Sequence, residues 1–118
     1  MEKIEKNKNI IIGTAQLGSN YGITNKKKLD INKEIDFLNY AYSNNFRSFD
    51  TAYAYKNSQK IIGKWIQKEG VKPVLSSKIP KVKDLEDYNI EILFNEILNT
   101  LKVKKIDIIL GDIKLSQL

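Results

Sequence analysis

The chain has 118 residues and a formal net charge of +6, with 42% apolar and 29% charged residues, and it contains neither cysteine nor histidine. This length and composition are typical of one ordinary folded domain. Without cysteine the chain has no disulfide and no thiolate nucleophile, and without histidine it has no imidazole to act as acid, base or metal ligand. We therefore expect no metal site, and much standard enzyme chemistry is excluded.

The positive charge is spread along the chain rather than clustered. Lys26, Lys27 and Lys28 form the one run of lysines, and Arg47 is the sole arginine. Because proteins that read bases favour the forked guanidinium group, we expect no nucleic-acid partner. No segment approaches the ~20 consecutive apolar residues of a membrane helix, and the charged start is unlike a signal peptide. The sequence therefore predicts a cytoplasmic protein without a membrane partner.

A strand and a helix are the first predicted elements. The β-branched run at residues 10–12 predicts a buried strand that ends at Gly13. A polar loop follows over residues 18–22, and Asp30 is a residue type suited to cap the next helix. Apolar residues then recur at steps of four, three and four along one helix face: Ile31, Ile35, Leu38 and Tyr42.

A second strand and helix come next. Residues 46–49 form a short strand that stops at Asp50, and Ser58 is the predicted N-cap of the following helix, which closes at Gly70. The apolar side of that helix is expected in the core: Ile61, Ile62, Trp65 and Ile66. Residues 74–79 then read as a third strand bounded by prolines.

The third helix has the clearest pattern in the sequence. Its apolar residues follow the helical template over about three turns: Ile90, Leu93, Phe94, Ile97, Leu98 and Leu101. Residues 106–110 then predict a fourth strand. The order β-α-β-α-β-α-β predicts an α/β fold with a parallel sheet, either open and doubly wound or part of a barrel. Because a (β/α)8 barrel needs ~250 residues, this chain can supply about half of one.

Three polar side chains follow the predicted strand ends, where ligands and catalytic groups gather in α/β folds. Asp50 ends the second strand, Tyr55 lies in the next loop, and Lys78 is near the end of the third strand. Spacing alone is more typical of ordinary surface residues and turn caps than of a site. Together these residue types could form an acid relay.

The sequence around Asp50 resembles the aldo-keto reductase superfamily. Residues 49–63, FDTAYAYKNSQKIIG, are similar to its signature Asp-Thr-Ala-x-x-Tyr-Gly-x-Ser-Glu-x-x-x-Gly. Residues 13–18 resemble its first-strand turn, residues 77–79 its third-strand lysine, and residues 106–118 its fourth strand. The resemblance runs through nearly the whole chain.

This resemblance implies a TIM barrel that reduces small-molecule carbonyl compounds with NADPH. Tyr55 takes the place of the family's general acid, Lys78 that of the lysine beside it, and Asp50 that of the aspartate paired with the lysine. The chemistry is consistent, since a free phenol titrates near pH ~10 and needs a neighbouring ammonium to donate its proton near neutrality.

Departures from the family pattern concern the fourth strand and the signature. The family's histidine closes the fourth strand, where this chain has Gly111 or Asp112. Glycine has no side chain to offer, and a carboxylate would repel a developing alkoxide. Lys56 stands where the family has glycine, and Gln59 where it usually has glutamate.

We interpret residues 1–118 as one partial domain, with the first four strands and three helices of a reductase barrel from a truncated or decayed gene. The family holds its cofactor mainly on loops after later strands, so we expect little or no activity alone. The alternative is a non-catalytic interaction module. The two open sheet edges leave three outcomes: a homodimer, complementation by a second half-barrel chain, and a poorly folded fragment, which we rank first.

Overall fold

The computed structural model describes residues 2–18, 30–80 and 90–111, and its elements follow the predicted alternation. The predicted loop beyond Gly18, the three consecutive lysines and the chain from Asp112 onward lie outside these residues. Strands and helices occur in this order: α1 Glu2–Asn7, β1 Ile11–Gly13, α2 Ile31–Ser43, β2 Ser48–Asp50, α3 Lys56–Glu69, β3 Val74–Lys78, α4 Ile90–Leu101 and β4 Ile108–Leu110.

The four strands form one parallel sheet in the sequential order β1-β2-β3-β4. A doubly wound sheet reverses its strand order at a switch point and carries helices on both faces. Here the order never reverses, and the core joins α2, α3 and α4 to one face of the sheet. The architecture is therefore about half of a (β/α)8 barrel, as predicted.

The outer face of the sheet, which the helices cover, carries the core. Phe49 and Leu75 are neighbours in register, and both are buried. Trp65 of α3 is fully buried and meets Phe49 edge-to-face, with 5.2 Å between ring centroids. The predicted core position of Trp65 is confirmed. The core cluster comprises Leu17, Ile35, Leu38, Ala41, Phe49, Ile61, Ile62, Trp65, Leu75, Ile79, Ile97 and Leu101.

The inner face of the sheet points away from the helices. By strand alternation and register it comprises Ile11, Gly13, Ser48, Asp50, Val74, Ser76, Lys78, Ile108 and Leu110. Its four large apolar residues are between 42% and 58% exposed. In a closed barrel, layers of inward side chains from all eight strands fill this space. Among the described residues nothing covers it.

Two of the three predicted helix ends are confirmed. The Asp30 carboxylate accepts hydrogen bonds from the backbone N–H groups of Asn32 and Lys33 at the start of α2, and Gly70 ends α3 with φ +65°. The prediction that Ser58 caps α3 is wrong. The residue before this helix is Tyr55, three residues before Ser58, and the Ser58 hydroxyl instead lies in a buried cluster described below.

A further helix, α1, precedes the first strand and was not predicted, so the described residues contain four helices rather than three. Asn7, its last residue, donates a side-chain hydrogen bond to the Asn44 carbonyl at 2.8 Å, which ties α1 to the end of α2. None of the helices in the described ranges is long and apolar enough to cross a membrane.

Helices α3 and α4 approach closely at Gly63. A Cβ at this position would collide with the carbonyl oxygen of Thr100 on α4. Glycine is therefore required for the observed helix separation, because any side chain would push α4 away from α3.

Candidate active site

Asp50 and Lys78 lie at the carboxyl ends of adjacent strands, on the inner face. Asp50 is in register with Ser76, and Lys78 lies two residues beyond Ser76 on the same side of β3. Tyr55 directly precedes α3, after a short loop from the end of β2. The three predicted residues are thus placed at one end of the sheet.

Backbone hydrogen bonds fix this loop against β3. The N–H of Thr51 donates to the Ser76 carbonyl at 2.8 Å, and the N–H of Tyr53 donates to the Lys78 carbonyl at 2.9 Å. The loop therefore follows β3 to its end, and it places the Tyr53 main chain beside that of Lys78. Tyr55 comes two residues later, with its own N–H bonded to the Ala52 carbonyl.

Asp50 Oδ1 accepts a hydrogen bond from Ser76 Oγ at 2.6 Å, because Ser76 is its register neighbour. Within the described ranges no hydrogen bond or ion pair joins any two of Asp50, Tyr55 and Lys78. The structure brings them to one edge without forming the expected lysine–aspartate pair.

A buried cluster of hydroxyl groups anchors the start of α3 to the sheet. Ser58 Oγ lies 2.6 Å from Thr14 Oγ1, after β1, and 3.0 Å from Thr51 Oγ1, after β2. Next in the helix, Gln59 accepts a hydrogen bond from Ser77 Oγ of β3 at 2.9 Å. All five residues are buried. The first turn of α3, and with it Tyr55, is therefore held by three strands.

Sequence reasoning missed this cluster. Its sequence signal is a threonine directly after each of the first two strands, Thr14 and Thr51, together with two polar residues in the first turn of α3, Ser58 and Gln59. Such residues are normally expected in caps and turns. Their burial follows only from the parallel register, which brings the carboxyl ends of β1, β2 and β3 side by side.

Tyr55 is 41% exposed and faces a shallow depression of about 240 Å³, shared with Lys56 and Gly18. Gly18 has φ +72°, and a Cβ there would lie 2.7 Å from Asn57 Cβ. Asn57 in turn donates a side-chain hydrogen bond to the Gly18 carbonyl at 3.1 Å. This close approach requires glycine at position 18 and positions the β1 loop beside Tyr55.

Tyr53 has a packing role. Its ring packs against the core cluster, and its hydroxyl donates to Glu96 Oε2 of α4 at 2.8 Å. Because the loop before α3 contains this residue, α4 also helps to hold the segment that carries Tyr55.

The end of β4 offers no imidazole. Gly111 follows Leu110 and is exposed, and Asp112, the other candidate for the histidine position, lies outside the described residues. Hydrogen bonding of the Ile79 N–H to the Leu110 carbonyl at 2.9 Å places this end of β4 beside the end of β3. In the described part of the chain no group of three or more acidic side chains could hold a metal ion.

Comparison with known proteins agrees with the fold and the motif. The model of the Aldo/keto reductase family matches residues 9–113. Two solved structures from Pseudomonas aeruginosa, both described as a putative aldo-keto reductase, match with TM-scores of 0.71 and 0.68 at 23% and 22% identity. Each match covers 86% of this chain and only 41% or 40% of the other. No curated protein sequence matches the chain.

Proposed function

Because this chain belongs to the aldo/keto reductase family, we propose that it carries one half of a site for NADPH-dependent reduction of small-molecule carbonyl compounds. The observation that carries the proposal is the placement of Asp50, Tyr55 and Lys78 at one end of the sheet, at positions that resemble the family's signature and its third-strand lysine. A second half barrel would have to complete the site.

Each of the three residues has a distinct role in the proposed reaction. When bound, NADPH would supply a hydride to the carbonyl carbon, and Tyr55 would give its phenolic proton to the carbonyl oxygen. The ammonium of Lys78 assists this donation, since a nearby cation favours the phenolate that remains. One carboxylate oxygen of Asp50 accepts a hydrogen bond from Ser76, and the other is available to orient Lys78. Closing the barrel would bring the exposed side chain of Lys78 towards Asp50 and Tyr55.

The chain alone is proposed to have little or no activity. The histidine position falls on Gly111, which has no side chain, or on Asp112, whose carboxylate would repel the substrate oxygen, so one stabilising donor is missing. The sequence also has neither of the glycine-rich loops that bind nucleotide phosphates, Gly-x-x-x-x-Gly-Lys-Ser/Thr and Gly-x-Gly-x-x-Gly. Because the resembled family holds its cofactor mainly on loops after later strands, NADPH would have to be held by the second half.

A non-catalytic interaction module is the second candidate, and the inner face favours it. Ile11, Val74, Ile108 and Leu110 are largely exposed, and β1 and β4 are both edge strands. Apolar residues on an open sheet with unpaired edges favour association. A second copy of this chain and a second half-barrel chain are the two partners that could close such a sheet.

The test measures NADPH oxidation with a panel of aldehydes. The chain is assayed alone and mixed with the C-half, which we define as the part of the first Pseudomonas aeruginosa structure that this chain does not match. We expect no turnover from the chain alone. In the mixture we expect slow turnover, because the fourth strand still lacks the histidine. Tyr55→Phe should abolish this turnover, and Tyr40→Phe, on the exposed side of α2, should leave it unchanged.

Robust turnover by the isolated chain, lost in Tyr55→Phe, would contradict its proposed inactivity. Turnover of the mixture that survives Tyr55→Phe would contradict the role of Tyr55. A mixture that forms a complex but reduces no aldehyde would leave the interaction module as the function.

A further inference from the structure

A cavity of about 470 Å³ lies at the end of the sheet opposite to Asp50 and Lys78. Its walls are the last turn of α3, the connection from α3 to β3, the start of β3 and residues 103–107, which lead into β4. We call it the amino-end cavity, because it lies at the amino end of β3. Among the described residues it shares no lining residue with the smaller depression beside Tyr55.

The ends of α3 and α4 leave room for this cavity. The two helices approach closely at Gly63 and Thr100. Beyond that contact α4 ends after one more residue, at Leu101, whereas α3 continues to Glu69. The two helices run in the same direction, because both connect strands of one parallel sheet. The last turn of α3 therefore extends past the end of α4, and the cavity lies beside that turn.

Apolar side chains form the inner wall of the amino-end cavity. Val71 and Val103 each follow a residue with a positive φ, Gly70 at +65° and Lys102 at +59°, where the chain leaves the helix. Both valines are partly buried against the core, and so is Ile66 of α3. All three line the cavity. A ligand with an apolar body would lose water-exposed surface against this wall, which favours binding.

The rim of the cavity is positively charged. Lys72, Lys104 and Lys105 line it and are exposed, and within the described part of the chain none of them forms an ion pair. Asp107 is the one acidic residue among the described lining residues, and its Oδ2 accepts a hydrogen bond from the Leu75 N–H at 2.9 Å. Three ammonium groups therefore stand against one carboxylate, which the main chain already binds. This excess of positive charge favours an anionic group at the rim.

We propose that the amino-end cavity binds a small amphipathic carboxylate, with its apolar body against Val71 and Val103 and its carboxylate among the three lysines of the rim. The cavity volume is ordinary for a small-molecule site, and such sites are mostly apolar with a few polar groups. Lysine suits a single anionic group, because its ammonium is a compact charge with three donors. The site lies away from Tyr55 and does not depend on the reaction proposed above.

Isothermal titration calorimetry with octanoate tests the proposal, in comparison with octanol and acetate. Octanol has an apolar body of the same length without the charge, and acetate has the charge without the long body. We expect one octanoate to bind per chain, octanol to bind about fivefold or more weakly, and acetate to give no measurable binding. Added salt should weaken octanoate binding, because it screens the attraction of exposed lysines.

Two double variants separate the lysines of the cavity from the charge of the whole chain. Lys104→Gln with Lys105→Gln removes two lysines of the rim, and Lys60→Gln with Lys64→Gln removes two exposed lysines of α3 that do not line the cavity. Both change the net charge equally, and both should fold normally because the side chains are exposed. We expect the first to weaken octanoate binding about fivefold or more and the second to leave it unchanged.

Methyl NMR locates the bound octanoate within the molecule. The signals of Val71 and Val103 should move as octanoate is added, because both side chains line the cavity. The signal of Ile35, buried on α2 away from the cavity, is the control and should stay in place.

Three results would overturn the inference. Equal affinity for octanol and octanoate, or an equal loss of affinity in the two double variants, would show that the lysines of the rim do not recognise the carboxylate. Absence of octanoate binding, or binding that leaves both valine signals in place, would show that the amino-end cavity is not the site. Binding of phosphatidylglycerol vesicles without binding of octanoate would identify a membrane surface as the partner instead.

Discussion

The two faces of the sheet differ more than any other two regions of the molecule. On the outer face Phe49, Leu75 and Ser77 are buried under the chain's own helices, whereas on the inner face Val74 and Ile108 are exposed. Successive residues of the same short strands therefore face opposite sides of the sheet and have different roles. The outer face holds the described residues together. The inner face carries Asp50 and Lys78, and its large apolar side chains are exposed in the described part of the chain.

This division has a consequence for stability and function. Substitutions on the outer face should lower the free energy of unfolding of the isolated chain, and those on the inner face should do so only weakly. The effects of inner-face substitutions should appear when a partner is bound. The following variants test this separation in order of decreasing effect.

Trp65→Ala should have the largest effect, because it removes a fully buried ring that packs against Phe49 and Tyr42 and donates to Asn39 Oδ1. We expect a loss of about 3–5 kcal/mol in the free energy of unfolding, measured by urea denaturation. Tyr40→Ala, on the exposed side of α2, is the control and should stay within about 0.5 kcal/mol. If Trp65→Ala lowered the free energy of unfolding less than Tyr40→Ala does, the helices would not cover the outer face.

Gly63→Ala should be the next most harmful, because the added methyl group collides with the Thr100 carbonyl of α4. We expect a loss of about 1–3 kcal/mol in the same measurement. Gly13→Ala is the matched control, since no heavy atom lies within 4 Å of a Cβ there. Equal effects of the two variants would mean that α3 and α4 are not in close contact in solution.

Ser77→Ala and Ser76→Ala compare the two faces at adjacent positions. Ser77→Ala leaves the buried Gln59 Oε1 without its donor, and we expect a loss of about 1–3 kcal/mol. Ser76→Ala removes a hydrogen bond from Asp50, which water can replace at its half-buried carboxylate, and should cost less than about 1 kcal/mol. The reverse order in thermal or urea unfolding would contradict the separation of the two faces.

Ile108→Thr should have the smallest effect on the isolated chain, within about 0.5 kcal/mol, because the side chain is 48% exposed. The same variant should weaken binding of the C-half, since the lost apolar area lies in the proposed interface. Isothermal titration calorimetry measures this second effect. A large loss of stability in the chain alone would indicate that something already covers the inner face.

Much of the fold could be predicted from local patterns. The apolar periodicity of residues 90–101, the cap at Asp30 and the glycine at the end of α3 are properties of short segments, and the structure confirms them. The role of Ser58 was predicted wrongly because it depends on a contact with a residue far away in the sequence. Its hydroxyl contacts Thr14, 44 residues away, and no local pattern contains that pairing.

The candidate site, too, could be predicted only as far as local sequence patterns and the family resemblance reach. The strand-end positions of Asp50 and Lys78 followed from the alternation of strands and helices, and the family resemblance added their roles. The contact of Asp50 with Ser76 depends on the register of β2 against β3, which fixes which residue of β3 lies beside the aspartate. α1 was missed because its six residues, five of them charged or polar, carry too little apolar periodicity to predict a helix.

Thermal unfolding followed by circular dichroism, with and without saturating NADPH, tests the central claim most directly: the chain holds the acid half of a reductase site and lacks the cofactor half. A ligand that binds only the folded state raises the unfolding midpoint. We predict a midpoint that NADPH leaves unchanged for the isolated chain and raises once the C-half is bound. A midpoint that rises with NADPH in the isolated chain would contradict the claim, because these 118 residues would then form a cofactor site by themselves.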